Sequence, residues 1–259
     1  MSILVIGNDG RQKCLADILS DKGYESFPFS GDFCDFERAN TLILPLPLTR
    51  DHICVNSVPN LKLSDVVKNA IGKKVFFGNG TEEFMQNIGS IAKLVFDYNR
   101  SERFQYENAR ITAEATISAV IEKTDFSLFG TYCVIIGFGR IGKILSRYFS
   151  ALGARVCICA RKEMDLACAS ALGYDAVSIR NGFPNEFSKR PDVVLNTAPA
   201  RIITAENSKC IAKSVIFDLA GNGSMSDCCK EVIPALGLPA KYSPRSSALA
   251  LFNSIKEEL

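Results

Sequence analysis

One stretch limits the folds open to this chain more than any other. Tyr132-Cys133-Val134-Ile135-Ile136 runs directly into Gly137-Phe138-Gly139-Arg140-Ile141-Gly142. Ile141, Leu145, Tyr148, Phe149 and Leu152 then recur at helical spacing, and a second apolar run at 155–159 follows Gly153. Strand, glycine turn, helix and strand in that order form a βαβ unit, whose parallel strands need a sheet covered on both faces. Each glycine has a reason in such a unit. Gly137 permits the tight turn, Gly139 lets backbone approach a pyrophosphate, and Gly142 lets helix and strand pack closely. The free N–H groups and positive dipole end of the helix then face the anion. Residues Gly137, Phe138, Gly139, Arg140, Ile141 and Gly142 are therefore candidate dinucleotide contacts.

The second strand bears on which dinucleotide. An NAD site carries Asp or Glu about 20 residues beyond the first glycine, where it accepts from the adenine ribose. Here Ala160-Arg161-Lys162 follow Cys159. Without a carboxylate there is no repulsion against a 2′-phosphate, and two cations attract one. Arg161 can pair bidentately with phosphate oxygens and Lys162 adds a mobile charge, so NADP is the expected cofactor. Two later strand-end loops fit the same crevice. Asn196-Thr197-Ala198-Pro199 follows a strand at 192–195, with Thr197, Ala198 and Pro199 bordering the nicotinamide-side ribose. Asp218-Leu219-Ala220-Gly221 ends a strand at 215–219, with Leu219 near the nicotinamide.

The rest of the 259 residues repeats the alternation of strand and helix. Strands are expected at 3–7, 41–44, 74–77 and 232–235, with helices at 11–22, 63–71 and 246–258. The segment 101–123 reads as a connecting helix pair, with Thr112 capping its second half and Ile117, Val120 and Ile121 on one face. The fold class is thus α/β: two doubly wound parallel-sheet domains, a flavodoxin-like N-terminal domain and a Rossmann dinucleotide-binding domain, joined by connecting helices. The expected divisions are 1–124, a substrate and partner domain with the connecting helix, 125–245, the NADP domain, and 246–259, a helix packing back on the first domain.

Composition excludes several function classes. A net charge of +2 lacks the basic footprint of a nucleic-acid binder. No apolar run reaches the roughly 20 residues of a membrane span. The opening Met1–Gly10 reads as a strand and turn rather than a signal peptide, which points to the cytoplasm. Ten cysteines include no C-x-x-C pair, Cys228 and Cys229 are adjacent, and His52 is the only histidine. They read as reduced core residues, and no metal site is expected.

Charged residues beside the strand ends suggest a ligand. Asp9 and Arg11 follow the first strand, Arg110, Thr112 and Glu114 lie on the connecting segment, and Lys241 and Arg245 precede the last helix. Cations meeting across two facing domains would suit a dicarboxylate.

The motifs in order resemble a known family. Ile6-Gly7-Asn8-Asp9-Gly10-Arg11, Leu44-Pro45-Leu46-Pro47, Thr112-Ala113-Glu114, the glycine turn, Ala160-Arg161 and Leu238-Pro239-Ala240-Lys241 are similar to the first subunit of dipicolinate synthase from spore-forming bacteria, nearly end to end. The resemblance implies an NADP-linked oxidoreductase that works with a second, flavoprotein-like dipicolinate synthase subunit. It implies oxidation of dihydrodipicolinate, or its hydrated precursor, to dipicolinate during sporulation, in the mother cell. Arg11, Thr112 and Arg245 are then substrate-binding candidates, and Asp9, Glu114 or Lys241 the proton acceptor. A homo-oligomer is compatible with this reading. The chain departs from the family's Ile-Pro-Thr-Ala-Glu-Gly at Arg110, Ile111 and Ala115. It also departs from Leu-Pro-Gly-Lys-Val-Ala-Pro-Lys-Thr-Ala-Gly at Ala240, Ser246 and Ala248, among others, which reshapes a pocket rim. Two other readings stand beside this one: a non-catalytic NADP-binding regulatory or scaffold subunit, and a stand-alone dehydrogenase of the alanine or hydroxy-acid type.

Overall fold

The computed structural model describes residues 2–204, 207–221, 229 and 232–259; Cys228 lies outside them. The chain forms two compact units, Met1–Ile111 with Pro239–Leu259, and Thr112–Leu238. These divisions fall at 111/112 and 238/239, where the sequence suggested 124/125 and 245/246.

In the first unit the chain runs β1 (Ser2–Val5), α1 (Gly10–Asp21), β2 (Glu25–Pro28), α2 (Cys34–Arg38), β3 (Thr41–Ile43), a hairpin of β4 (Cys54–Val55) and β5 (Val58–Lys62), α3 (Leu63–Lys68), β6 (Lys74–Phe77), α4 (Glu82–Gly89) and β7 (Leu94–Asp97). The sheet order is β2-β1-β3-β6-β7, with every pair parallel. Counted within its own sheet this is the 2-1-3-4-5 order of flavodoxin-like folds, as expected. Strand alternation divides the core. Leu4, Ile6, Leu42, Val75 and Phe77 pack with Phe36, Val66, Phe84 and Ile88 on one face. Ile3, Val5, Ile43 and Phe76 pack with Leu15, Leu19, Leu251 and Ile255 on the other. The last helices, α8 (Leu238–Tyr242) and α9 (Pro244–Ile255), close the chain, and α9 lies against α1.

A single helix, α5 (Glu102–Lys123), leads from one unit to the next. The expected helix pair is corrected. No Gly or Pro interrupts these 22 residues, and Ala109, Ala113, Ala115 and Ala119 favour helix throughout. Thr112 consequently sits in the helix interior rather than at a cap, and its carbonyl accepts from Thr116 Oγ1 at 2.7 Å. Ala113, Ala115, Thr116, Ala119 and Val120 are buried, while Ile121, expected on the packed face, is 58% exposed.

The second unit holds β8 (Tyr132–Ile136), α6 (Arg140–Ala151), β9 (Arg155–Ala160), α7 (Glu163–Ala171), β10 (Asp175–Ser178), β11 (Val193–Asn196), β12 (Val215–Asp218) and β13 (Val232–Pro234). Their order, β10-β9-β8-β11-β12-β13, is wholly parallel. Within the sheet it reads 3-2-1-4-5-6, the order of dinucleotide-binding domains. Every residue of β8 is buried, as a central strand covered on both faces requires. Gly142, Leu145 and Phe149 form the buried stripe of α6; Leu152, expected to extend it, caps the helix and is 43% exposed.

Candidate functional site

In the second unit the strand order reverses at β8, so the crevice opens at the carboxyl ends of β8 and β11, where such sheets take ligands. The turn there is built as its glycines predict. Gly137 has φ +95°, and its N–H donates to the Cys159 carbonyl at 2.8 Å, tying the turn to β9. A Cβ on Gly142 would strike the Gly137 carbonyl, which fixes glycine where α6 meets the strand. Gly139 is the contrast: it is exposed, and a Cβ there would meet no atom within 4 Å. The open space above Gly139 is where a ligand's pyrophosphate could lie. Gly139 is also the N-cap of α6 and has no side chain to satisfy the helix's first N–H groups. Phe138 is buried, with Lys143 Nζ 5.5 Å from its ring centre, while Arg140 is exposed and Ile141 half-buried.

The neighbouring strand ends are stitched together. Thr197 Oγ1 donates to the Ile136 carbonyl at 2.9 Å, and its backbone N–H donates to the same carbonyl. A Cβ on Gly137 would come within 2.7 Å of that hydroxyl, so Thr197 and the turn are fitted to each other. Asn196 and Asp218 pair across β11 and β12: Asn196 Nδ2 donates to Asp218 Oδ1 at 2.8 Å, and the Ala220 and Gly221 N–H groups donate to that oxygen at 3.2 and 3.4 Å. Asn196 Oδ1 in turn accepts from the Ala198 N–H at 3.2 Å. Sequence reasoning read these residues as separate turns and missed the pair. The available signal was that two adjacent apolar strands each end on a polar residue, in register. The pair fixes the loops carrying Thr197, Ala198, Pro199 and Leu219. Arg161 and Lys162 are exposed between β9 and α7, where a 2′-phosphate could meet them.

In the first unit the picture changes. Asp9 is the N-cap of α1, its Oδ1 accepting from the Gln12 N–H at 3.0 Å. Arg11, expected to face solvent or a ligand, is 4% exposed. Its Nε donates to Ser247 Oγ at 2.5 Å and its Nη2 to Asn108 Oδ1 at 3.2 Å, so it joins α1, α9 and α5. Desolvation holds this guanidinium below its ordinary pKa, opposed by nearby Tyr98 and Asp9. Burial likewise pushes the Tyr98 phenol up, while its hydroxyl donates to the Leu44 carbonyl at 2.9 Å. Lys241 and Arg245 are exposed on α8 and α9. Lys241 Nζ lies 3.3 Å from the Tyr242 hydroxyl. The expectation that these cations approach Arg11 from the other domain is corrected, because Pro239–Leu259 belongs to the first unit. The Ala240 carbonyl would lie 2.6 Å from a Cβ on Gly10, which places α8 against the start of α1. Thr112 is buried in α5, and Glu114 is exposed two residues along.

His52 lines a cavity of about 440 Å³ between β4, α3 and α4, with Lys62, Leu63 and Phe84; none of the expected site residues reaches it. Cys133, Cys157 and Cys159 are buried in β8 and β9. No cluster of residues suited to a metal ion occurs among the described residues. No helix among them is long and apolar enough to cross a membrane.

No protein-family model matches the sequence. The first subunit of dipicolinate synthase from Bacillus subtilis (strain 168) is 28% identical, over 100% of this chain and 96% of its own length. The solved structure of the same subunit from Bacillus halodurans superposes with a TM-score of 0.80 at 23% identity, covering 99% of this chain and 97% of that one. Salmonella D-lactate dehydrogenase superposes with a TM-score of 0.61 at 13% identity, covering 100% and 96%. At such identities the two structures establish a shared fold. The chain is therefore similar from end to end to the first subunit of dipicolinate synthase, and it shares the two-domain α/β fold of both solved structures.

Proposed function

We propose that this chain is the NADP-linked oxidoreductase subunit of a dipicolinate synthase. In this reading it oxidises dihydrodipicolinate, or its hydrated precursor, to dipicolinate in the mother-cell cytoplasm during sporulation, beside a second, flavoprotein-like subunit. The observation that carries the reading is the full-length likeness to the Bacillus subtilis protein.

The residues at the glycine turn fit a dinucleotide. The space at Gly139 is open, glycine is enforced at Gly142, and the start of α6 has no side-chain cap. Gly137, Phe138, Gly139, Arg140, Ile141 and Gly142 would hold the pyrophosphate, and Arg161 and Lys162 the 2′-phosphate. Thr197, Ala198 and Pro199 would border the nicotinamide-side ribose, and Leu219 the ring. When bound, the oxidised nicotinamide supplies a two-electron hydride acceptor. The chain's own part is to orient a dihydropyridine dicarboxylate and to remove one proton, since loss of a hydride and a proton leaves the ring aromatic. Lys241 and Arg245 carry charge suited to carboxylates. Asp9, Glu114 and Lys241 are the groups able to take the proton.

Calorimetric titration of the purified chain with NADP and with NAD tests the cofactor half of this reading. NADP is expected to bind at least tenfold more tightly, about the lower end of a charge-assisted phosphate contact. Equal or tighter NAD binding would overturn it.

A further inference from the structure

Gln12 in the first turn of α1 is 1% exposed, and its side-chain Nε2 and Oε1 are both buried without a hydrogen-bond partner. A buried primary amide with neither donor nor acceptor engaged is a standing cost to folding, and native proteins retain few of them. A methionine of nearly the same shape would fill the position without that cost. Gly7 lies along the side chain, and a Cβ added there would come 2.6 Å from Gln12 Cγ. The helix cap does not use the amide, because Asp9 takes the backbone N–H of Gln12 and leaves the side chain out.

Its place in the fold is the telling part. Strand order in the first sheet reverses at β1, and Gln12 lies against the residues just past the carboxyl end of β1. That end of a doubly wound sheet is where ligands bind. Arg11, the preceding residue of α1, also has a buried atom without a hydrogen-bond partner, Nη1. Gly7, at φ +133°, lies against the Gln12 side chain, and the next residue, Asn8, makes two hydrogen bonds to Ser57 of the β4–β5 hairpin at 2.9 and 3.1 Å.

We infer that Gln12 is a substrate-binding residue whose amide is completed by the ligand when the chain at Gly7 and Asn8 moves aside; this rests on the dicarboxylate reading above. Its Nε2–H groups donate to a substrate carboxylate. Its Oε1 accepts from a neighbouring N–H or O–H, which a dihydropyridine tautomer or its hydrated precursor offers and the aromatic product lacks. The same amide would then favour substrate over product.

The test is Gln12→Met and Gln12→Glu in the full chain, with melting temperature, NADP affinity and dipicolinate affinity measured together. Gln12→Met should melt about 3 °C or more above wild type, because an unsatisfied amide is gone. It should bind dipicolinate about tenfold more weakly, the loss of one hydrogen bond to a charged group. Gln12→Glu should bind it more weakly still through like-charge repulsion. NADP affinity should hold in both. Dipicolinate affinity unchanged in Gln12→Met overturns the inference while leaving the dicarboxylate reading intact, and so does a lower melting temperature, which would mean the amide is already satisfied. If the wild type binds no dipicolinate with NADP and the flavoprotein-like partner present, the dicarboxylate reading falls and the inference with it.

Discussion

Gly139 and Gly142 stand three residues apart in one turn, and substitution should separate binding from folding there. Gly139 has ordinary φ and open space beyond it, so Gly139→Val should fold with an unchanged melting temperature yet lose dinucleotide binding. Normal cofactor titration of that variant would make the turn purely structural. Gly142→Ala acts the other way, since its Cβ meets a backbone carbonyl that cannot step aside. Thermal melting should show it destabilised by about 1–3 kcal/mol, the usual cost of overpacking. A wild-type melt would mean that α6 can shift freely against the turn. Arg161→Asp should weaken NADP by about 10- to 150-fold and move preference toward NAD, as expected for a lost charge-assisted contact. Unchanged NADP affinity on titration would remove Arg161 from the site. At this scale the second unit was far more legible than the first. Glycine spacing encodes its own geometry, whereas the fate of Arg11 depends on Ser247 and Asn108, residues 236 and 97 positions away, which no local pattern exposes.

Elements were legible in proportion to their burial. The interior strands β1, β3, β6, β8, β9, β11 and β12 carry apolar runs that announce them. Three of the four edge strands of the two parallel sheets, β2, β7 and β10, were not foreseen. Their sequences, ESFP, LVFD and DAVS, are short, and none of their residues is fully buried, so no alternation stands out. Helix α7 escaped for the same reason, with Ala169 its only fully buried residue. Helix α9 was visible because Ala248, Leu251, Phe252 and Ile255 share one stripe, and it packs with Leu15 and Leu19 of α1. That contact joins the chain's last residues to its first helix. Ile255→Ala should therefore cost about 2–5 kcal/mol, as buried large-to-small changes do. Denaturant unfolding would measure it, and a loss under about 1 kcal/mol would mean that α9 contributes little to the unit. NADP affinity should stay at the wild-type value, because the glycine turn belongs to the other unit.

Across the whole molecule, two sheets with orders 2-1-3-4-5 and 3-2-1-4-5-6 leave two sets of strand-end loops at the places where doubly wound sheets take ligands. The sequence conveyed this plan through its βα rhythm. It did not convey that α5 is one unbroken helix; it did convey that the last helix returns to the first unit, but not that the return begins at Pro239 rather than Ser246. The unbroken helix follows from local propensity, since no Gly or Pro interrupts it, whereas the point of return depends on long-range packing. The central claim is that this plan serves NADP-linked oxidation of a dihydropyridine dicarboxylate. The most direct measurement is an anaerobic assay of freshly generated dihydrodipicolinate with NADP, followed at dipicolinate's ultraviolet absorbance, with and without the co-expressed flavoprotein-like partner. The account predicts that dipicolinate appears together with an equal amount of reduced NADP, and faster than in protein-free controls. Dipicolinate forming no faster than in those controls, with the partner present and with either NADP or NAD supplied, would contradict it.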